Sequence, residues 1–198
     1  MFVTFEGLDG SGKTTQLRLL AKRLTAEGRT VVVTREPGGT ELGEAVRDLV
    51  LHGGNVAPWA EAALYAASRA QHVEEVIRPA LARGAVMLCD RYVDSSVAYQ
   101  GVARGLGLER VLDLNLTAVG GLLPDLTLLL EMDATVADSR MTGKRDRLER
   151  EDASFHARAA AGYRELAARF PERIVVLDAT LAPDELAERI HGAFRSHS

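Results

Sequence analysis

Cysteine is almost missing from this chain. Cys89 stands alone among 198 residues, so an internal disulfide is excluded, no metal-ligand spacing built on cysteine exists, and a reducing compartment is expected. An excess of positive charge is missing as well. The net charge is −4 at pH 7, whereas a chain that lives on DNA or RNA carries a basic face, so no nucleic-acid partner is expected. No run comes near the roughly 18 uninterrupted apolar residues of a membrane span. The first residues, Met-Phe-Val-Thr-Phe-Glu-Gly, lack the basic start and long apolar stretch of a secretory signal. The cytoplasm is the location expected by default. Repeats, low-complexity blocks and linkers are absent too, so residues 1–198 are read as a single domain.

What is present fits an ordinary globular chain, 46% hydrophobic and 26% charged. Short apolar runs at Phe2–Phe5, Thr30–Thr34, Ala85–Cys89, Asp125–Glu131 and Arg173–Leu177 alternate with helical patterns. That alternation predicts an α/β fold, a five-stranded parallel sheet with helices on both faces. Leu17, Leu20, Ala21 and Leu24 recur at i, i+3, i+4, i+7, the stripe of a buried helix face. Further helices are expected over Glu41–Leu51, Trp59–Arg83, Asp94–Val102, Leu108–Ala118, Thr135–Arg140 and Glu151–Phe170, and from Pro183 onward, where Leu186, Ile190 and Phe194 turn inward. Pro79 is expected to kink or shorten the end of the Trp59–Arg83 helix. Trp59 is assigned to packing, Cys89 to a buried strand and Asp94 to a helix cap.

The strongest motif is Gly7-Leu8-Asp9-Gly10-Ser11-Gly12-Lys13-Thr14, followed by Thr15. It satisfies G-x-x-x-x-G-K-[ST] in full, between an expected strand and an expected helix. Gly10 and Gly12 permit backbone angles that turn successive N–H groups inward as an anion nest. The helix adds its positive end. Lys13 brings charge to the β- and γ-phosphates, and the Thr14 hydroxyl suits Mg²⁺. The motif reads as a nucleoside triphosphate site. No Asn-Lys-x-Asp guanine-reading motif follows, which argues against a switch GTPase, and the chain is short for a motor or transport ATPase. A small P-loop kinase fits.

In an open α/β sheet, ligands sit beyond the carboxyl ends of the strands. The second strand is followed by Arg35-Glu36-Pro37-Gly38-Gly39-Thr40, the third by Asp90-Arg91-Tyr92 and then Asp94 to Gly101. Tyr65 and Arg69 lie i, i+4 on one helix, an aromatic face beside a guanidinium, as a nucleobase requires. Ser96 and Gln100 repeat that spacing. Arg140 to Arg150 is polar and basic, with Arg140, Lys144, Arg145, Arg147 and Arg150 against Asp146 and Glu149. It reads as an exposed, mobile, arginine-rich lid over about 140–152. Phosphoryl transfer needs positive charge on the migrating group and exclusion of water, and a lid supplies both. Leu8, Asp9, Gly10 and Ser11 fill the variable positions of the phosphate loop without an arginine, which leaves that charge to the lid.

The segments FEGLDGSGKTT, TREPGGT, LYAASRAQH, DRYVDSSVAYQG and DRLERED, in this order, resemble the bacterial thymidylate kinase family over nearly the whole chain. The resemblance implies a P-loop kinase fold that uses Mg-ATP to phosphorylate dTMP, and a homodimer formed through helix faces away from the active site. It implies thymine stacked on Tyr65 with Arg69 at its O4. Ser96 and Gln100 would reach the base edge, with Ser95 beside them and Tyr99 near the sugar 2′ position. Asp9 would lie near the 3′-hydroxyl and the metal, and Arg91 on the acceptor phosphate, with Glu36, Pro37 and Arg47 lining that site. Thr14, Asp9 and Asp90 are the implied Mg²⁺ ligands. Lys13, Arg91 and the lid residues Arg147 and Arg145 would carry catalysis, and Arg140 would cover adenine. Arg47 reads equally as a solvated helix residue. Two other readings stay open, a P-loop kinase for another nucleotide or a deoxynucleoside, for which Glu36 offers a base, and a nucleotide-binding regulator without turnover.

Overall fold

The computed structural model describes residues 1–143 and 145–198. Lys144, one of the expected lid cations, lies outside the described residues.

Five parallel strands form the sheet: β1 (Phe2–Glu6), β2 (Val31–Arg35), β3 (Val86–Asp90), β4 (Leu126–Glu131) and β5 (Ile174–Asp178). Their order is β2-β3-β1-β4-β5. Each starts within one residue of its expected place. β1, β3 and β4 are buried along nearly their whole length, because helices cover both faces of a parallel sheet and central strands meet no water. The edge strands show the contrast, with Val33 on β2 and Val176 on β5 about half exposed. In register, Phe5 pairs with Asp90 and Arg35 with Asp90 from the other side. The ends of β1, β3 and β2 therefore lie side by side. Hydrogen bonds continue past the strands, from Arg91 N to Phe5 O (3.0 Å) and from Glu36 N to Asp90 O (2.9 Å). Three loops far apart in sequence are thereby fixed at one edge.

The helices are α1 (Lys13–Ala26), α2 (Glu41–His52), α3 (Pro58–His72), α4 (Arg78–Ala82), α5 (Val93–Ser96), α6 (Leu108–Ala118), α7 (Ala134–Arg140), α8 (Ala153–Arg169) and α9 (Pro183–Ser196). Leu17, Leu20 and Leu24 of α1 are buried, as are Leu186, Ile190 and Phe194 of α9. No described helix is long and apolar enough to cross a membrane.

The structure departs from the sequence reading in four places. The expected helix Trp59–Arg83 is α3 and α4 joined by a π-helical segment, Val73–Ile77. The wider turn ends just before Pro79, where it relieves the ring's clash with the preceding turn. The expected helix Asp94–Val102 is the short α5 followed by a second π segment, Val97–Ala103. Asp94 does not cap it. Its carboxylate forms a buried two-bond pair with Arg173, Nη1 to Oδ2 at 2.7 Å and Nη2 to Oδ1 at 2.8 Å, and a guanidinium that enters the core needs that partner more than a helix end does. Trp59 is 40% exposed, with Arg110 stacked 4.6 Å from its ring, because the first turn of α3 projects beyond the core.

The lid is the fourth departure. Its stretch 146–149, expected to be exposed, is folded against the molecule. Asp146 accepts from Leu148 N (2.8 Å) and Glu149 N (2.9 Å), while Glu149 Oε2 accepts from Asp146 N (2.8 Å). This reciprocal cap folds Asp-Arg-Leu-Glu into a turn and buries Leu148.

Candidate active site

The loop between β1 and α1 owes its shape to glycine. Gly7 has φ 132° and Gly10 φ 84°. A Cβ on Gly7 would come 2.4 Å from the Leu130 carbonyl, and one on Gly10 would come 2.2 Å from the Ala137 carbonyl. Only glycine lets the loop lie against β4 and α7 in this way. No side chain caps the N-terminus of α1, so its first N–H groups remain for an anion. Lys13, buried, donates from Nζ to the carbonyls of Gly7 (3.1 Å) and Leu8 (2.8 Å) and lies 3.7 Å from Asp9 Oδ1. Burial first, and then Arg91, draws its ammonium below the ordinary lysine range, against Asp9, Asp90 and Glu6. Thr14 Oγ1 donates to Asp90 Oδ2 at 2.6 Å. Gly10, Gly12, Lys13, Thr14, Thr15, Asp90 and Asp9 line a cavity of about 850 Å³ together with Glu36, Arg47, Arg91 and Arg35. Arg35 was not among the expected site residues.

A second cavity, about 630 Å³, adjoins it. Tyr65, Arg69, Ser96, Tyr99 and Gln100 line it, with Ser95, Pro37, Glu36, Arg47, Arg91 and Asp9. The structure thus brings every residue expected at the acceptor around one space. Asp9, Glu36, Arg47 and Arg91 border both cavities, so the two open onto each other. Leu51 and the lid residues Asp146, Leu148 and Glu149 complete the second wall. The sequence reading gave them no place there.

Arg91 is the hinge of the arrangement. Its φ is 70°, a left-handed conformation that costs a non-glycine residue about 1 kcal/mol or more and persists where the surroundings fix it. Nη2 donates to Asp9 Oδ1 at 2.5 Å. Nη1 reaches Gly7 O (3.1 Å), Ser95 Oγ (3.1 Å) and Tyr163 Oη (3.2 Å). The guanidinium lies 5.3 Å from the Tyr99 ring centre. Burial works to raise the Asp9 pKa, but Arg91 and Lys13 outweigh it and hold the carboxyl well below the usual range. The Tyr99 hydroxyl is buried without a hydrogen-bond partner among the described residues.

Below Arg91 sits Glu6, fully buried and absent from the sequence reading. Oε1 accepts from Tyr92 N (2.8 Å), and Oε2 accepts from Ser95 Oγ (2.5 Å) and Tyr163 Oη (2.9 Å). Burial, followed by Asp94, pushes its pKa up to about 7, although Ser95, Arg91 and Tyr163 favour the carboxylate. Tyr163 comes from α8, and no pattern in the sequence linked it to this loop.

Arg69 is more confined than a free base-reading arginine. Nε donates to Glu36 Oε2 (2.6 Å), Nη1 to Ser96 Oγ (3.0 Å) and to Asn115 Oδ1, and Nη2 to Tyr92 O (2.9 Å). Glu36 also meets His72 Nδ1 through Oε1 (2.8 Å), so both its oxygens are engaged. Glu36, His72 and Cys89 place ligand-type atoms within 4.8 Å of one another. His72 Nε2 is bonded to Thr34 Oγ1 (2.7 Å), Cys89 Sγ donates to Arg91 O (3.1 Å), and Arg69 stands beside Glu36. A cation has no vacant donor there. Arg47 donates to Pro37 O (3.0 Å) and faces both cavities.

The lid cations part company. Arg145, paired with Asp138 (2.7 Å), and Arg140, bonded to Ala179 O (3.0 Å), line a space of about 540 Å³ against Asp9 and Gly10. Arg147 turns away from it. Its Nε donates to Val50 O (2.8 Å), its Nη2 to the buried Glu61 (2.5 Å), and its backbone N to Leu51 O (3.1 Å).

The family model described as thymidylate kinase matches residues 5–190. A thymidylate kinase of Synechococcus sp. (strain JA-3-3Ab) is 54% identical over 192 residues, covering 96% of this chain and 93% of the relative. One of Leifsonia xyli subsp. xyli is 55% identical, covering 96% and 92%. The crystal structure of thymidylate kinase from Ehrlichia chaffeensis superposes with a TM-score of 0.82 at 31% identity, covering 98% of both chains.

Proposed function

The chain belongs to the thymidylate kinase family, and on that premise we propose how its cleft divides the work of the reaction. The enzyme phosphorylates dTMP to dTDP with ATP. One observation carries the assignment of parts: the cavity over the phosphate loop and the cavity beside Tyr65 share Asp9, Glu36, Arg47 and Arg91. Donor and acceptor phosphates held in the two cavities meet at that border.

The acceptor already carries a phosphate, so no general base is needed to make it a nucleophile. Rate comes from positioning and charge neutralisation. Lys13 and the α1 N-terminus hold the donor phosphates. Arg91, fixed by Asp9, Ser95 and Tyr163, holds the acceptor phosphate. Tyr65 stacks on the base, with Arg69, Ser96 and Gln100 at its edge, and Tyr99 packs beside the sugar. Arg145, exposed and bordering Gly10, is the lid cation for the migrating phosphoryl group, with Arg140 toward the adenine side. Arg147 holds the lid in place. Glu36 spends both oxygens on Arg69 and His72, which weighs against its serving as a base for a nucleoside hydroxyl.

Mg²⁺ is the proposed cofactor. The hydroxyl of Thr14 and the carboxylate of Asp90, 2.6 Å apart beside Lys13, are the hard oxygen donors this ion takes. Asp9 is engaged by Arg91 and would act on the ion's outer side. When bound, the ion adds positive charge at the donor phosphates. Residues 1–198 are proposed to act as one kinase domain with its lid at about 140–152, in the cytoplasm where nucleotides are made. A homodimer is proposed through α2 and α3, whose Leu42, Leu49 and Trp59 are exposed by 46%, 55% and 40%.

One assay tests the reading. The protein is incubated with Mg-ATP and each of dTMP, dUMP, UMP, CMP, AMP and thymidine, and ADP release is followed. The expected result is fastest release with dTMP. Equal release with thymidine, or release independent of any acceptor, overturns it.

A further inference from the structure

Glu61 has no part in the roles assigned above, yet it is a carboxylate with no exposure at all. It lies on α3, one turn before Tyr65 and two before Arg69. Oε1 accepts from Gln100 Nε2 at 2.9 Å, and Oε2 accepts from Arg147 Nη2 at 2.5 Å. Arg104 spans both oxygens at 3.4 Å and reaches on to Glu151 at 2.7 Å. Arg104 and Arg147 thus pair with Glu61, and Arg104 with Glu151 as well, so both Glu61 oxygens accept from cations.

An ionised carboxylate only accepts hydrogen bonds. Of the two ends of the Gln100 amide, only the nitrogen suits Glu61, whichever way the amide is drawn. Gln100 lines the acceptor cavity and is 2% exposed. With its nitrogen on Glu61, the amide oxygen is the atom it offers to that cavity. An acceptor there matches a base that presents a ring N–H between two carbonyls. It opposes a base whose ring nitrogen carries a lone pair.

We propose that Glu61 is a positioning residue that sets base selection and lid docking together, fixing the Gln100 amide with its oxygen toward the base while anchoring the lid through Arg147. This rests on the reading that the base lies beside Gln100. The same carboxylate serves both ends, so a base that turns the amide disturbs the lid as well. Selection is thereby linked to the docking of the lid.

The test compares the unmodified enzyme with Glu61→Gln and Glu61→Asp. Turnover of dTMP by the unmodified enzyme checks the underlying reading; the ratio of kcat/KM for dTMP over dCMP checks Glu61. Glutamine at 61 can accept or donate, so the Gln100 amide loses its fixed sense and the ratio is expected to fall about ten-fold, mainly through KM. Aspartate remains acceptor-only. It is expected to hold the ratio within about two-fold even where stability falls. A purely structural Glu61 would give equal ratios in all three proteins, or equal losses in both variants, and either outcome overturns the proposal. Trypsin reads the lid half: cleavage within residues 140–150 should speed up about ten-fold in Glu61→Gln once Arg147 is released. An unchanged rate removes the lid from the proposal. Should Glu61→Gln lack a cooperative melt, the unmodified enzyme is given N3-methyl-dTMP, expected to be used at least about ten-fold worse than dTMP; equal use overturns the orientation of the amide.

Discussion

Glu6→Gln should stabilise this protein, and increasingly so as pH rises. Glu6 is fully buried, and its pKa is pushed from 4.5 up to about 7 by burial and then by Asp94, against the pull of Ser95, Arg91 and Tyr163. A carboxyl whose folded pKa is raised binds its proton more tightly when folded. The stability this contributes is full below pH 4.5 and is lost as pH climbs through 7. The whole swing is about 3 kcal/mol, because each ten-fold gain in proton affinity on folding is worth about 1.4 kcal/mol. Most of it, about 2–3 kcal/mol, falls between pH 5 and pH 8. For 198 residues, that is roughly 6 °C in melting temperature. Glutamine has no charge to desolvate, and its amide can keep the local bonds. Its oxygen takes the Tyr92 N–H, and its nitrogen donates to the Ser95 and Tyr163 oxygens. Melting both proteins by circular dichroism at half-unit steps from pH 5 to pH 8 gives the difference directly. It should open in favour of Glu6→Gln toward pH 8. A difference that stays flat, or shrinks as pH rises, refutes the reasoning.

Arg145→Ala should cut kcat by about 10³-fold or more with KM for ATP little changed, whereas Arg147→Ala, which frees the lid from Glu61, should act mainly on KM for dTMP; equal kcat losses in steady-state kinetics would reverse that division. Lys13→Ala should abolish turnover while the melting curve survives, because among the described residues its ammonium meets groups of its own loop, the Gly7 and Leu8 carbonyls and Asp9, and loss of the cooperative melt would make Lys13 a folding residue. Asp94→Asn leaves Arg173 buried without its carboxylate and should cost about 3–5 kcal/mol in urea unfolding, with a cost under about 1 kcal/mol meaning that the pair is dispensable. Leu49→Glu should convert the proposed dimer into a monomer in sedimentation, and an unchanged sedimentation coefficient would refute a dimer through this face.

The sheet and the phosphate loop were legible because their signals are local. A run of apolar residues makes a strand wherever it falls, and the glycines and lysine of the loop are contiguous. Tyr65 with Arg69 and Ser96 with Gln100 were legible through helical spacing, which places both members of each pair on one face. What escaped was the carboxylates beneath them. Glu61 lies one turn before Tyr65, and the i, i+4 step that linked Tyr65 to Arg69 would have reached it, but an acidic residue in the first turn of a helix reads as a surface residue favoured by the dipole. Glu6 closes an apolar strand, and nothing near it in sequence says whether it points into the core. Asp94 was read as a cap because its partner, Arg173, is 79 residues away. The π segments escaped because apolar spacing fits an α-helix nearly as well. They matter to the site, since Gln100 is carried on one of them.

Paired carboxylates explain how so many arginines can line one cleft. Arg69 is held by Glu36, Arg91 by Asp9 and Arg147 by Glu61, each at 2.5 or 2.6 Å. Removing the acid from such a pair would strand a cation out of water at a cost of several kcal/mol. On the proposed reading these pairs stay fixed through the reaction and give the acceptor pocket its shape. Lys13 and Arg145 are held differently. Lys13 rests on two neutral carbonyls, with Asp9 farther off at 3.7 Å and already bonded to Arg91, and Arg145 rests on Asp138, a pair 41% and 53% exposed. Carbonyls and a solvated carboxylate give up a cation far more readily than the buried carboxylates of Glu36 and Glu61 do. The migrating phosphoryl group spreads its charge over three oxygens, and on the proposed reading it draws on Lys13 and Arg145, not on the locked arginines. A rigid pocket can then choose the base while the weakly held cations follow the phosphorus.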